Sequence, residues 1–208
     1  MQKQLESLSG HFVVAGCGRT GKYVVEELAQ IGQRFVAIDR DEDGLMRLSE
    51  EIGGGLLYVV GDATEDHTLV AAGVKRAAGV VSALSDDRDN LFITLSVRTL
   101  NPSARIISKA VEIENEVKLS RAGADSTVSP NRVGAHRLVS ELVRPDATAF
   151  LDHLRVDRDL NFEFVEMPAK SSWAGKSLRA IPIRDRTNLL VLALREPDGN
   201  YVYNPAPG

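Results

Sequence analysis

A glycine-rich turn that follows a short apolar run constrains the fold of this chain more than any other feature. The run Phe12–Ala15 is typical of a buried parallel strand, and it leads into Gly16, Gly18 and Gly21 in the spacing Gly-x-Gly-x-x-Gly. Residues 22–31 then form an amphipathic pattern that predicts a helix. In such a unit the first glycine allows the tight turn, the second lets the backbone approach a pyrophosphate, and the third lets helix and strand pack closely. The pattern therefore predicts a dinucleotide-binding turn.

An acidic residue stands where this interpretation requires one. Residues 34–38 predict a second strand, and Asp39 follows it, about 20 residues beyond the glycines. A carboxylate at this position accepts hydrogen bonds from an adenosine ribose and repels a 2′-phosphate, which favours NAD or an AMP-type ligand over NADP. The alternative is that the glycines only form a tight βα turn and that Asp39 caps the next helix.

Composition excludes several classes of protein. The chain has 208 residues, 43% of them hydrophobic and 26% charged, which allows one large or two small globular domains. The net charge of −4 argues against nucleic acid as a main partner. The single cysteine, Cys17, excludes an internal disulfide and favours a reducing setting. The first residues are too polar for a signal peptide, and no apolar run approaches the roughly 20 residues of a membrane helix.

Strand and helix patterns alternate with short loops as far as residue 130, which predicts an α/β fold with a Rossmann-type doubly wound parallel sheet. A helix pair interrupted at Pro145 comes next, and it could pack across a partner subunit or fold back onto its own sheet. A β-rich segment with a hairpin turn at Asp198–Gly199 ends the chain. That last segment has few strands for a core and is interpreted as a small, truncated α+β lobe. The predicted organisation is a lead-in (1–10), a Rossmann-type lobe (11–130), a crossover helix pair (131–156) and the C-terminal lobe (157–208).

Several further residues are candidates for the ligand site. Asp62, after the third strand, could reach the adenine amino group, although Asp62 or Thr64 could equally cap the next helix. Arg19 could meet a phosphate or form a surface ion pair, and Arg40 could stack on adenine. Cys17 could sense redox state if the adjoining helix start lowers its pKa; a small residue fitting a tight turn is the simpler explanation. The predicted nucleotide-binding set is Gly16, Gly18, Arg19, Thr20, Gly21, Asp39, Arg40, Asp62, Ala63, Ala83 and Lys109.

Taken together, these motifs resemble a known family. The series is His11-Phe-Val-Val-Ala-Gly-Cys-Gly-Arg-Thr-Gly21, Ile38-Asp-Arg40, Gly61-Asp-Ala-Thr64, Ala122-Gly-Ala-Asp125-Ser-Thr-Val-Ser-Pro130 and Trp173-Ala-Gly-Lys-Ser-Leu178. It is similar to the RCK domains (regulators of K⁺ conductance, also called TrkA-N or KTN) of prokaryotic potassium channels and transporters. The resemblance covers about residues 8–208, and the last part looks like a TrkA-C module without its final strands.

The resemblance implies a function. The Rossmann-type lobe would bind NAD(H) or an adenine nucleotide (AMP, ADP or ATP), and the helix pair would cross to a neighbouring subunit. Such dimers assemble into rings, in some cases octameric, beneath a membrane pore on the cytoplasmic side. The lead-in looks like the linker after a pore helix, which favours a potassium-channel gating domain over the alternative, a Trk/Ktr-type transporter subunit.

The departures from the family pattern also carry information. Calcium-gated relatives have carboxylates where this chain has Lys109 and Val111, so no metal site is expected, and Lys109 could instead meet a ligand phosphate. An NAD-dependent oxidoreductase is the competing class, but the sequence has no Tyr-x-x-x-Lys pair and no convincing His–Asp relay. We therefore expect no enzyme activity. A third interpretation is a structural ring subunit whose nucleotide site is vestigial.

Overall fold

The structure is a computed structural model that describes residues 2–156, 172–183, 191–196, 198–203 and 205. The chain divides into two compact units, Met1–Ala149 and Phe150–Gly208, and each is described by itself. No helix among the described residues is long and apolar enough to cross a membrane.

The first unit is built on one six-stranded sheet in the order β3-β2-β1-β4-β5-β6. All five neighbouring pairs run parallel, which confirms the predicted doubly wound sheet. The strands are β1 (Phe12–Ala15), β2 (Phe35–Asp39), β3 (Tyr58–Val60), β4 (Gly79–Ser82), β5 (Arg105–Lys109) and β6 (Ser126–Val128). Because the chain reverses direction across the sheet after β3, a crevice forms between β1 and β4 at the ends of the strands.

Helices connect the strands and cover both faces. They are α1 (Gln2–Ser7), α2 (Gly21–Gln30), α3 (Glu42–Glu51), α4 (Asp66–Ala71), α5 (Asp87–Leu100) and α6 (Glu116–Arg121), with 3₁₀ turns at Val74–Arg76 and Ile113–Asn115. One apolar cluster joins Val25 of α2 and Leu45 of α3 to β1 and β2. A second cluster joins Leu69 of α4 and Ile93 of α5 to the same sheet. The sheet is therefore covered by helices on two sides, as its crossovers require.

The sequence pattern of residues 112–121 predicts one helix, which the structure divides. Residues 112–121 form the 3₁₀ turn and then α6, because the Asp87 carboxylate accepts hydrogen bonds from the Val111 and Glu112 amides and from Asn115 Nδ2. These contacts hold the start of the segment outside an α-helical path.

The strand ends define two opposite edges. Ala15 of β1 pairs with Ile38 of β2 and with Ser82 of β4, and Ser82 pairs with Ser108 of β5. We call this side, where the strands end, the carboxyl edge, and the opposite side, where they begin, the amino edge. Doubly wound sheets bind ligands at the carboxyl edge.

The predicted helix pair is present as α7 (Pro130–Val143) and α8 (Pro145–Val156). Ser129 occupies the N-cap position of α7 but makes no side-chain cap hydrogen bond. Val133, Leu138 and Leu142 of α7 are largely exposed in the single chain. The division between the two units falls inside α8.

Beyond the last part of α8, the structure describes in the second unit a short hairpin and a 3₁₀ turn. Strands β7 (Ala193–Arg195) and β8 (Tyr201–Tyr203) pair antiparallel around Asp198–Gly199, which confirms the predicted hairpin turn. The turn Leu178–Ala180 is 3₁₀. The continuous apolar run of residues 188–194 predicts a strand, which starts only at Ala193 among the described residues. The alternating pattern of residues 162–166, which makes that segment β-rich, lies outside the described residues.

Candidate nucleotide-binding site

Two of the three turn glycines are required by the backbone itself. Gly16 has φ +90°, and a Cβ built on it would lie 2.6 Å from Leu84 Cδ2. A Cβ on Gly21 would lie 1.8 Å from the Gly16 carbonyl oxygen, so the start of α2 packs directly on the end of β1. Neither position accepts a side chain without moving the turn.

Gly18 differs from both neighbours. A Cβ built on it meets no atom within 4 Å, and its φ lies outside the left-handed region. The fold itself therefore does not require glycine at this position. The open space lies beside the turn, and a ligand that approaches the backbone closely there would require glycine at this position.

The backbone amides of Gly18, Arg19 and Thr20 also indicate that a ligand can bind at the turn. Within the part of the chain that the structure describes, no acceptor pairs with these three N–H groups. Thr20 is the N-cap residue of α2, yet its side chain makes no cap hydrogen bond. Because a helix start carries unpaired donors and the positive end of the dipole, this turn offers an anion several N–H groups at once.

Asp39 is fixed beside the turn by backbone amides. Its Oδ2 accepts a hydrogen bond from the Cys17 amide at 2.6 Å, and its Oδ1 accepts one from the Asp41 amide at 3.0 Å. Asp41, not Asp39, caps α3 by accepting from the Gly44 amide at 3.0 Å. The capping alternative for Asp39 is therefore wrong, and its carboxylate keeps further acceptor capacity toward the carboxyl edge.

Arg40 and Asp62 lie together at the same edge. Arg40 Nη2 donates to Asp62 Oδ2, while Asp62 Oδ1 accepts from the Thr64 amide and hydroxyl at 2.9 and 2.7 Å. The Thr64 amide, followed by the Thr64 hydroxyl and Arg40, lowers the pKa of Asp62 below its usual value. Glu65 occupies the N-cap position of α4 without a side-chain bond, so neither Asp62 nor Thr64 caps that helix.

A second basic residue lies close to Arg19. Lys109 ends β5, and burial together with the Arg19 charge lowers its pKa, which Asp87 partly opposes. Two neighbouring cations repel each other, and an anion bound between them would stabilise the charged forms of both side chains. The structure thus brings Lys109 and Arg19, predicted separately for phosphate, into one electrostatic neighbourhood.

The two small residues of the predicted set lie inside the fold. Ala63 and Ala83 are both buried. The Ala83 amide donates to the Ala15 carbonyl at 2.8 Å, and a Cβ on Gly21 would lie 3.6 Å from the Ala83 Cβ. Ala83 therefore forms the floor beneath the glycine turn.

Sequence reasoning missed Asn90, which shapes this edge from below. Its buried amide donates to the carbonyls of Leu84 and Lys109 and accepts from the Leu84 amide and the Ser82 hydroxyl. It joins the ends of β4 and β5 to the first turn of α5. The spacing of Asn90 from the apolar residues of α5 could have identified it in the sequence. Asn90 lies on the same buried face of α5 as Ile93, and a buried polar side chain needs hydrogen-bond partners.

The redox alternative for Cys17 is not supported. Burial, and secondarily the Asp39 carboxylate, raises the pKa of the Cys17 thiol to about 12. A thiol of this kind is a poor nucleophile at neutral pH. Among the described residues, no group of three or more His, Cys, Asp or Glu side chains could hold a metal ion.

The crevice and its open glycine turn define a Rossmann-type domain with an anion-accepting carboxyl edge. Residues 12–130 match the TrkA-N domain family, and the chain belongs to that family. This confirms the resemblance to RCK/TrkA-N domains drawn from the motifs.

Similar proteins are potassium transport proteins. The chain is 35% identical over its whole length to probable potassium channel protein 2 of Methanocaldococcus jannaschii, of which it spans 62%. It is 29% identical over 88% of its length to Ktr system potassium uptake protein C of Bacillus subtilis, covering 80% of that protein. Its structure is similar to the GsuK channel bound to NAD, with 30% identity, a TM-score of 0.57, and coverage of 96% of this chain and 34% of that one.

Proposed function

We propose that this chain is a cytoplasmic, nucleotide-sensing regulatory domain that gates a potassium channel. The observation that carries the proposal is the set of unpaired amides at Gly18, Arg19 and Thr20, exposed beside open space at the start of α2. The fold alone does not require glycine at position 18, whereas a bound phosphate does, so the open space at Gly18 favours a working site over a vestigial one.

The proposed ligand is NAD(H) or an adenine nucleotide. Its phosphates would accept hydrogen bonds from the 18–20 amides and lie near Arg19 and Lys109. Its ribose would donate to Asp39, whose position is fixed by two amides. Its adenine would lie by the Arg40–Asp62 pair. The NAD bound to the similar GsuK channel supports this class of ligand.

The proposed partners are a second copy of the chain and a potassium-transporting membrane protein. Leu142 of α7 is 84% exposed, and Leu138 and Val143 are also largely exposed. Such an apolar surface on a helix is typical of a subunit interface. We infer that the helix pair crosses to a neighbouring subunit and that dimers assemble into a ring on the inner face of the membrane.

The proposed mechanism is a population shift, and the role is regulatory rather than catalytic. A ligand moves a gate only if it binds one arrangement of the subunits better than another. A tenfold preference corresponds to about 1.4 kcal/mol per site, and equivalent sites in a ring multiply the bias. The potassium channel relatives favour this role over hydride transfer.

A transporter subunit is the second candidate, because the chain is also similar to Ktr system potassium uptake protein C, with 29% identity over 88% of its length. Co-purification with a Ktr-type membrane subunit would favour the transporter role. Attachment of the same domain to a pore segment in one longer chain would favour the channel role.

Calorimetric titration with NADH, NAD, AMP, ADP and ATP, combined with light scattering for mass, tests the nucleotide site. The decisive variant is Gly18→Val, which places a side chain only in the open space and should reduce affinity at least about 100-fold without changing the melting temperature. Gly134→Val is the control for an added valine, since a Cβ there also meets no atom and φ is ordinary. Because Gly134 belongs to α7 of the proposed subunit interface, its affinity is compared only if light scattering shows an unchanged mass. Retained affinity in Gly18→Val would contradict the site.

A further inference from the structure

Arg76 holds the lead-in segment, residues 2–10, at the amino edge of the sheet. Its Nε donates to the Leu8 carbonyl at 3.0 Å and its Nη2 to the Leu5 carbonyl at 3.1 Å. Its own carbonyl accepts from the Gly10 amide at 2.8 Å. One guanidinium therefore binds two carbonyls at the end of α1, where a helix has unpaired acceptors and favours positive charge.

Further contacts along the lead-in reinforce this attachment. Arg34 Nη2 donates to the Ser9 carbonyl at 3.0 Å, and the Arg34 carbonyl accepts from the Phe12 amide at 2.9 Å. The side chains of Leu5 and Leu8 pack against the apolar cluster of the sheet. The lead-in is thus bonded to the sheet through its backbone, while its apolar side chains add burial.

The position of Arg76 is itself fixed by α5. Asn101, the C-cap residue of α5, donates from Nδ2 to the carbonyls of Val74 and Ala77 at 2.8 and 3.0 Å, which precede and follow Arg76 in the chain. At the other end of α5, Asn90 holds the ends of β4 and β5. One helix therefore connects the nucleotide edge with the residue that anchors the lead-in.

Gly73 leaves the space in which this anchor fits. It has φ +78°, and a Cβ built there would lie 3.0 Å from the His11 ring and 3.2 Å from Arg76 Nη2. The His11 ring is fully buried beside it and contacts the Ala72 carbonyl at 2.9 Å. A side chain at 73 would push directly on the guanidinium.

We propose that Arg76 is a positioning residue that fixes the lead-in rigidly to the nucleotide-binding unit through its two-carbonyl fork. Its regulatory consequence rests on the proposed function: a segment that precedes the lead-in in a longer chain would follow ligand-driven movements of the unit without a flexible joint. Arginine suits this role because its planar fork binds two acceptors at once, whereas lysine presents a single point charge.

Hydrogen exchange of the 208-residue chain tests the anchor. In Arg76→Ala and in Arg76→Lys, amides of the lead-in should exchange at least about tenfold faster, because two charge-assisted hydrogen bonds are lost or weakened. Amides of β1, β4 and β5 should keep their protection, and NAD affinity should stay unchanged. Lys75→Ala removes one cation from the same 3₁₀ turn and should leave lead-in exchange unaltered.

Three results would overturn the proposal. Unchanged lead-in exchange in Arg76→Ala would show that the fork does not hold the segment. Equal acceleration across the whole sheet would show that Arg76 only supports the fold. Full protection in Arg76→Lys would show that charge alone suffices. If the unmodified chain binds no nucleotide, the proposed function fails while the exchange contrast between positions 75 and 76 still decides on the anchor.

Discussion

The two edges of the sheet both hold arginines, but they use them differently. At the amino edge, Arg76 and Arg34 donate to backbone carbonyls of the lead-in, so these guanidinium groups have acceptors within the chain. At the carboxyl edge, Arg19 lies near Lys109, and the pKa of Lys109 is lowered by burial and by that second cation. The arginines of the amino edge thus bind the chain's own backbone, whereas Arg19 at the carboxyl edge lies beside a second cation.

The backbone shows the same contrast. The carbonyls of Leu5, Leu8 and Ser9 all accept from arginines. The amides of Gly18 and its neighbours at the start of α2 have no acceptor among the described residues. Exposed helix ends tolerate unpaired groups where water or a ligand can reach them. The two edges therefore differ in whether their backbone groups have partners within the described residues, which is why we propose the carboxyl edge for ligand binding.

The largest expected effect is at Gly21. Gly21→Ala places a Cβ 1.8 Å from the Gly16 carbonyl oxygen, and backbone has to move to relieve it. We expect a loss of about 3 kcal/mol in the free energy of unfolding, together with loss of nucleotide binding. Urea denaturation measures the first and calorimetry the second.

Gly18→Ala is the control within the same turn, and its free energy of unfolding should change by less than about 0.5 kcal/mol. If both alanine variants destabilise the protein equally, the turn would be a uniform structural element. The proposed distinction between a tightly packed glycine and an open one would then fail.

Asp39→Ala should have an intermediate effect that combines binding and stability. Removing the carboxylate leaves the Cys17 amide without its acceptor, which costs about 1–2 kcal/mol in the free energy of unfolding. NAD affinity should fall at least about tenfold, because the proposed ribose contact is lost as well.

Asp41→Ala separates these two contributions. Asp41 lies two residues away and caps α3, so its loss should cost about 1 kcal/mol of stability while leaving affinity unchanged. Equal affinity losses in the two variants would indicate that loop stability, and not a contact with the ligand, accounts for the Asp39 effect.

The sequence predicted the elements whose signals are local. Strand β1 has the bounds that its apolar run indicates, and Asp39 stands at the end of β2 as the spacing requires. Gly16 has the positive φ that the tight turn needs. Each of these features depends on a few consecutive residues, so pattern and propensity were sufficient.

The contacts that organise both edges escaped prediction because they join distant positions. Arg76 reaches back 71 residues to Leu5, and Asn90 reaches 19 residues to the Lys109 carbonyl. Every residue has a backbone carbonyl, so the residue type of the acceptor does not show which carbonyl a distant side chain binds. The acceptor can be identified only once the arrangement of the sheet is known.

The smallest predicted effect concerns acid at the amino edge, where His11 lies among the residues that hold the lead-in. Burial, and then the charges of Arg76 and Arg34, lower the pKa of His11 below its usual 6.5, although the Ala72 carbonyl partly opposes this. The folded chain therefore binds fewer protons than the unfolded chain below pH 6.5. The stabilisation from neutral His11 is complete above pH 6.5 and declines as the pH falls toward the lowered pKa, by at most about 1.4 kcal/mol per pH unit.

His11→Gln keeps a donor for the Ala72 carbonyl but cannot titrate, so the pH dependence of its unfolding free energy between pH 7 and 5 should be shallower. Urea denaturation at half-unit pH steps measures both slopes. The lowered pKa values of Asp62 and Asp125 act only nearer their usual 3.8, below this window. Parallel slopes for the two proteins would mean that the pKa of His11 does not change on folding. The neutral His11 ring would then contribute nothing to the pH dependence of the free energy of unfolding.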